Sequence, residues 1–172
     1  MFCITKYTEK LGQSQVPETA RSILIDKSRI MTYQQVIKEL QKIALTQHNV
    51  RYTGYGDLYR DLDSDPNIKY DVVYITPNQH TSEEQIGYDR YNLNLIYISR
   101  LDNTEGENAL QVQSVGKEIL TNILRIFCER YDSDIYGQII WQMFTQKFGD
   151  LCGGCYCIVN LEVPQDSICI DE

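Results

Sequence analysis

The sequence contains no long apolar run and little positive charge. No stretch approaches the roughly 18 apolar residues that a membrane-spanning helix needs, and the first residues, MFCITKYTEKLGQ, lack the apolar core of a signal peptide. The chain carries 16 Lys and Arg against 24 Asp and Glu, for a formal net charge of −8. Nucleic-acid affinity depends on neutralising phosphates with basic side chains, so this balance argues against a protein that wraps DNA or RNA.

Residues typical of catalytic sites are also scarce. His48 and His80 are the only histidines, and neither has a cysteine or serine partner at a recognisable spacing. The sequence lacks G-x-S-x-G, H-E-x-x-H and a glycine loop that would hold phosphate. These absences favour a structural or binding protein over an enzyme, and they point to no cofactor.

Hydrophobic periodicity predicts two helices. Thr32 and Gln35 have the spacing of a capping box, and the apolar residues that follow share one helical face: Val36, Ile37, Leu40, Ile43 and Ala44. The second helix is expected to end near Arg130. Its start is left open between Asn108 and Ser114, because both residue types cap helices.

Five segments have the composition of β-strands: NVRYTGYG, DVVYITP, YDRYNLNLIYISRL, QIIWQMFTQKF and CYCIVNLEVP. The predicted order is helix, three strands, helix, two strands. Because the strands cluster and do not alternate with helices, we predict an α+β domain over residues 31–172, with a mostly antiparallel sheet packed on the two helices. Residues 1–30 are predicted to form an extended N-terminal arm. The apolar tripeptide Ile23, Leu24 and Ile25 in this arm is a candidate interface element that can add a strand to a neighbour.

Three cysteines fall within six residues in the stretch DLCGGCYCIVNLEV. With Cys169, the residues Cys152, Cys155 and Cys157 offer four thiols for zinc, and Cys152-x-x-Cys155 also has the spacing of a redox dithiol. A redox pair normally begins a helix, however, whereas a strand is predicted after this one. We therefore favour a Gly-Gly turn followed by a core strand in which the cysteines are small buried side chains.

Several longer blocks of the sequence resemble a known family. IALTQHNVRYTGYGDLY, DSDPNIKYDVVYITPNQHT, YNLNLIYISRLDNTEGEN with VQSVGKEILTNIL, and FTQKFGDLCGGCYCIVNLEVP are similar to blocks in small virion proteins of crAss-like phages and related Bacteroidetes phages. The resemblance covers about residues 31–170. The element order is also similar to that of tail-terminator and head-tail connector proteins of tailed phages.

This resemblance implies a non-enzymatic neck or tail ring protein of the virion, assembled in the host cytoplasm without a membrane. Such a subunit is a homo-oligomer, expected to be dodecameric to match a portal, and it contacts the portal and neighbouring neck and tail proteins. DNA passes through the ring as a non-specific neighbour. Five acidic residues in two loops are candidates for facing that channel, with a solvated surface as the alternative: Asp61, Asp63, Asp65, Glu83 and Glu84.

Two further functions stay open on the sequence alone. One is a small intracellular zinc- or thiol-dependent enzyme that uses Cys152 and Cys155. The other is an adaptor outside the virion that binds partners through some of its 13 tyrosines.

Overall fold

A computed structural model provides the structure of the protein. It describes residues 31–58, 61, 70–78, 84–85, 88–101, 106–147 and 151–164. The predicted arm, residues 1–30, lies outside these ranges.

Two long helices and a mixed sheet make up the described residues. In chain order the elements are α1 (Tyr33–Leu45), β1 (Tyr52–Tyr55), β2 (Val72–Pro77), β3 (Glu84–Gln85), β4 (Tyr88–Arg100), α2 (Gly106–Tyr131), β5 (Asp134–Ile135), β6 (Ile140–Lys147) and β7 (Leu151–Pro164). The α+β class and the order of the major elements are confirmed. The two-residue strands β3 and β5 were not predicted, because so short a segment has no measurable periodicity.

The predicted capping box begins α1. The Thr32 side chain accepts a hydrogen bond from the backbone N–H of Gln35, and the Gln35 side chain accepts one from the backbone N–H of Thr32. The predicted apolar face is buried over its whole length. Both predicted features of α1 are therefore confirmed: the capping box at its start and the apolar face that packs on the core.

The second helix begins earlier than either predicted cap. α2 starts at Gly106, so Asn108 and Ser114 both lie inside it. The Ser114 hydroxyl donates to the carbonyl oxygen of Leu110, four residues back, which is the bond of a serine in a helix interior. Both cap predictions were wrong because serine and asparagine make local hydrogen bonds in either setting.

The sheet has the order β1-β2-β4-β7, with β5 and β6 on the far side of β7 and β3 beside β4. β1 runs parallel to β2, and all other pairs are antiparallel. The sheet is thus mostly antiparallel, as expected, but mixed. Both helices pack on one face, where the larger apolar cluster lies between the helices and β2, β4 and β7.

The longest strand runs straight through the predicted turn. β7 continues from Leu151 to Pro164 and includes Gly153 and Gly154. A Cβ on Gly154 would lie 1.9 Å from the carbonyl oxygen of Tyr97, so this position needs glycine because the backbones of β4 and β7 come close together. The Gly-Gly turn was therefore a wrong prediction, made because adjacent glycines more often mark a turn.

Candidate assembly margins

The sheet ends at two opposite margins. Among the described residues, β1 pairs only with β2, and β6 pairs only with β7. Four strand spacings separate β1 from β6, which places the two margins roughly 19 Å apart. An edge strand presents main-chain N–H and C=O groups with which another chain can pair.

The β6 margin consists of β6 and the adjacent turn of α2, with three exposed apolar side chains. Leu110 is 64% exposed, Ile140 is 57% exposed and Met143 is 40% exposed. Met143 is in register with Cys155, on the helix face, whereas Ile140 is in register with Ile158 and lies on the other face. Apolar side chains on both faces of an exposed edge are typical of a strand that a partner covers.

Contacts from α2 hold β6 in place. The Gln113 side chain donates to the carbonyl oxygen of Phe144 at 3.2 Å and to the hydroxyl of Thr145 at 3.3 Å. The Lys117 ammonium lies 5.6 Å from the centroid of the Trp141 ring, within the range of a cation–π contact. This edge is therefore attached to the helix layer as well as to β7, and it forms a preorganised surface.

The β1 margin carries a different set of exposed side chains. Tyr52 is 38% exposed, Tyr55 is 47% exposed, and Leu45 at the end of α1 is 52% exposed. Arg51 precedes the strand with its side chain largely in solvent, 3.3 Å from Asp71. Tyrosine combines a large contact area with a polar tip, so this margin also has the composition of a protein contact.

The described chain begins at a fixed point that is held on the inner strand β4 and also contacts the end of β1. Met31 is buried, and the Tyr91 hydroxyl lies 3.2 Å from its carbonyl oxygen and 2.9 Å from Oδ2 of Asp89. Burial, and then the charge of Asp89, raise the pKa of Tyr91, which keeps its hydroxyl protonated. The Tyr33 ring packs 5.5 Å from that of Tyr91, and its hydroxyl oxygen lies 3.5 Å from that of Tyr55 in β1.

The cysteine cluster is part of the core and is divided between the two faces of the sheet. Cys152, Cys155 and Cys157 are all fully buried, as their interpretation as small core side chains requires. Side chains alternate along β7, so Cys152 lies on the face opposite to the other two. The Cβ of Cys155 lies 3.3 Å from where a Cβ on Gly116 of α2 would be.

This geometry does not suit thiol chemistry at Cys152 and Cys155. The two residues are three apart in an extended strand, roughly 10 Å between Cα atoms, whereas a disulfide needs less than about 7 Å. Burial raises the pKa of the Cys155 thiol to about 11 and that of Cys157 to about 12, so both are protonated at neutral pH. A reactive or metal-binding cysteine instead uses the thiolate.

The structure describes only part of the residues predicted to act in assembly. Asp61 accepts a hydrogen bond of 2.6 Å from the Tyr74 hydroxyl, which attaches it to the face of the sheet away from the helices. Glu84 lies in β3, in register with Asp89 of β4. The remaining predicted residues lie outside the described ranges: Ile23, Leu24, Ile25, Asp63, Asp65 and Glu83.

Sequence reasoning identified β6 as a strand but did not single it out as an exposed edge. The signal was present in QIIWQMFTQKF, where apolar residues occupy adjacent positions at Ile139–Trp141 and Met143–Phe144. A strand with one face in solvent alternates, so this pattern indicates contact on both faces. Strand order is needed to separate a buried central strand from an exposed edge, and periodicity does not supply it.

No protein-family model and no curated protein matches this chain. Within the described residues, no group of three or more His, Cys, Asp or Glu side chains is arranged to hold a metal ion. None of the helices there is both long enough and apolar enough to span a bilayer.

Proposed function

We propose that this protein is a structural subunit of a ring in the neck or tail of a bacteriophage, where it surrounds the DNA channel and joins the portal to the tail. The single observation that carries the proposal is the pair of exposed margins, one apolar and one rich in tyrosine, at opposite ends of one sheet. The sequence blocks that resemble virion proteins of crAss-like phages also favour this function.

Ring closure requires this kind of asymmetry. A closed ring of identical subunits is built from heterologous contacts, in which one surface of each subunit meets a different surface of the next. The β1 margin and the β6 margin are different in composition and roughly 19 Å apart across the sheet. In the proposed ring, the β1 margin of each subunit meets the β6 margin of its neighbour, and the rotation between subunits closes the ring.

The tail-terminator-like fold is part of this proposal, and the packing of the helices on the sheet supports it. Two helices cover one face of a mostly antiparallel sheet, and both margins stay uncovered in the described residues. Because one fold serves many functions, this arrangement supports the proposal only together with the margins and the sequence blocks.

The charge of the chain suits a ring through which DNA moves. With a net charge of −8, the subunit repels phosphates instead of binding them. In the proposed ring, acidic residues such as Asp61 line or face the channel, and DNA slides past without being held.

Mass photometry and negative-stain microscopy of the purified protein test this proposal, with purified portal added in a second series as a template. We expect closed rings of one size, at least when the template is present, and we expect the chain in purified phage particles. A protein that stays monomeric in both series and is missing from particles would refute the proposal.

A further inference from the structure

We propose that neighbouring subunits join in two layers: β1 pairs antiparallel with β6 of the next subunit, and Leu45 of α1 packs on Leu110 of that subunit's α2. This inference rests on the proposed function, because it concerns two copies of one chain in a ring. The direction and register of the paired strands and the contact between the helix layers are thereby defined.

The direction of pairing follows from the strand topology. β1 runs parallel to β2, and each further pair along the sheet, β2 with β4, β4 with β7 and β7 with β6, is antiparallel. β1 and β6 of one subunit therefore run in opposite directions. The modest rotation between neighbours in a ring of many subunits preserves these directions, so β1 of one subunit lies antiparallel to β6 of the next.

The main-chain groups of β6 that point outward belong to alternate residues. The Tyr136 N–H donates to the carbonyl oxygen of Asn160, so the even-numbered residues of β7 direct their main-chain groups toward the side of β5 and β6. These residues are in register with the even-numbered residues of β6. The N–H and C=O groups of Trp141 and Met143 therefore point away from β7, toward the position of a neighbour.

The outward groups of β1 are defined in the same way. The Gly56 N–H donates to the carbonyl oxygen of Ile75 in β2, so the even-numbered residues of β1 bond to β2. Thr53 and Tyr55 consequently direct their N–H and C=O groups outward. Neither β1 nor β6 has a second partner strand among the described residues, so each offers one edge for pairing.

The side-chain faces at the two edges exclude parallel pairing. Tyr55 contacts Tyr33 of α1, and the Trp141 ring lies 5.6 Å from the Lys117 ammonium of α2. The outward-directed residues of both strands thus carry their side chains on the helix side. Such residues lie opposite each other, on one face, only in an antiparallel pair; in a parallel pair they are offset by one position and alternate in face. With all helices on one side of the ring, antiparallel pairing is the arrangement that fits.

The register within the sheet gives the height at which the strands meet. One row of side-by-side residues crosses the whole sheet: Thr53, Val73, Tyr97, Cys155 and Met143. A rotation about an axis along the strands keeps each row at its height, so Thr53 lies opposite Met143 of the next subunit. Tyr55 then lies opposite Trp141, an aromatic cross-strand pair of the kind that stabilises antiparallel sheets.

Leu45 lies on the side of α1 that faces the neighbour. Glu39 marks the side toward α2, because its carboxylate accepts a 2.8 Å hydrogen bond from the Tyr131 hydroxyl. Six positions later, Leu45 is turned about 120° from that side and is 52% exposed. Tyr33 at the start of α1 contacts Tyr55 at the end of β1. α1 therefore runs antiparallel to β1, and Leu45 at its end lies beside the start of β1.

Leu110 has the corresponding position on α2. Leu110, Gln113 and Lys117 share one face of the helix by their spacing, and the last two contact β6. Gln113 donates to the carbonyl oxygen of Phe144 in the second half of β6, and Leu110 lies one turn further along in the same direction, 64% exposed. Antiparallel pairing brings the start of β1 to the end of β6, and thus Leu45 to Leu110 of the neighbour.

The spacing of the layers allows this contact. α1 packs on β1 and β2, and the first half of α2 packs on β6 and β7. With each axis above the middle of its strand pair, α1 and the neighbour's α2 are two strand spacings apart, roughly 10 Å. Packed helices have axes about 8–10 Å apart, so the two exposed leucines meet when the strands pair.

Cysteine crosslinking tests the contact in assembled rings. Leu45→Cys and Leu110→Cys are combined in a full-length chain in which Cys3, Cys128 and Cys169 are replaced by alanine, and a short bismaleimide joins neighbouring thiols. Because each subunit is then joined to two neighbours, we expect a ladder of covalent oligomers up to the full ring on a denaturing gel. Chains with only one of the two introduced cysteines should stay monomeric.

Two further variants separate the alternatives. Parallel pairing would bring the start of β1 to the start of β6 and join Leu45→Cys to Ile140→Cys. Pairing of β6 with itself about a two-fold axis would give dimers from Leu110→Cys alone. Either result, or rings of the Leu45 and Leu110 double variant without a ladder, would overturn the inference and leave the ring in place. A wild-type chain that never forms rings would instead refute the proposed function.

A charge exchange supplies a second readout with the native cysteines in place. Leu45→Lys and Leu110→Glu both suit the helix ends, since a cation is favourable at the end of α1 and an anion near the start of α2. Each change alone should raise the protein concentration for half-maximal ring formation roughly tenfold, because the interface then covers an unpaired charge.

The chain with both changes should return to within about threefold of the wild type, because lysine then meets glutamate of the next subunit. The two positions lie on opposite margins of one subunit, so this rescue reports a contact between subunits. Leu45→Lys with Tyr88→Glu is the matched control and should stay impaired, since Tyr88 lies on the inner strand β4. Equal behaviour of the two double variants would contradict the contact.

Discussion

Replacing Ile140 by lysine places a charge at the start of β6 and should prevent ring formation without unfolding the subunit. Ile140 is 57% exposed in the single subunit. Complete burial of an isoleucine side chain contributes about 1.5–3 kcal/mol, so covering its exposed part contributes roughly 1–2 kcal/mol to each interface. Lysine loses this contribution and adds the cost of removing an ammonium group from water.

The expected effect on assembly is large because every interface in the ring carries the change. A loss of 1.4 kcal/mol corresponds to a factor of ten in an equilibrium constant, so each contact should weaken roughly tenfold or more. The stability of the subunit should change by no more than about 0.5 kcal/mol, because the substituted side chain is exposed. Lysine is also a residue that natural edge strands use to prevent pairing.

Mass photometry over a concentration series measures the effect, and thermal unfolding checks that the fold is retained. Tyr88→Lys is the matched control, since Tyr88 is 46% exposed but lies on the inner strand β4, away from both margins. We expect rings from the control and not from Ile140→Lys at the same concentration. If both variants form rings equally well, the β6 margin is not an assembly surface.

Three further predictions concern the fold. Gly116→Val should lower the free energy of unfolding by about 1–3 kcal/mol, because a Cβ there would lie 2.7 Å from Cδ1 of Tyr97; an unchanged melting temperature would contradict this close packing. Thr32→Ala should lower the free energy of unfolding by about 1 kcal/mol because it removes the cap of α1. Urea unfolding measures this change, and a decrease smaller than a few tenths of a kcal/mol would show that the cap does not stabilise the helix. Cys155 and Cys157 should resist alkylation at pH 8 in the folded protein and react after unfolding. Their folded-state pKa values, about 11 and 12, lie above the ordinary value of about 8.5. The stability that these protonated thiols contribute is thus complete below pH 8.5 and falls as the pH rises toward 12. Rapid alkylation of both cysteines in the native protein at pH 8 would contradict the prediction that they are protected.

Two elements that local sequence patterns define, α1 and β4, were predicted correctly. The spacing of Thr32 and Gln35 and the apolar stripe after them define α1 without reference to the rest of the chain. The alternation in YNLNLIYI likewise defines β4, in which Tyr91, Leu93, Leu95 and Tyr97 are all buried. In each case one periodicity reports one buried face.

The features that were not predicted, or were predicted wrongly, depend on neighbours distant in the sequence. The parallel pairing of β1 with β2 and the order of the strands are set by tertiary packing, which a single segment does not encode. Gly154 has the local signature of a turn, and only the approach of Tyr97 shows why glycine lies within a strand. The candidate margins follow the same logic, because whether Ile140 is exposed depends on which strand ends the sheet.

Cryo-electron microscopy of the assembled oligomer, at a resolution that traces the strands, tests the central claim most directly. The account predicts a closed ring in which the β1 margin of every subunit contacts the β6 margin of the next. A ring whose subunits meet through other surfaces, with both margins in solvent, would contradict it.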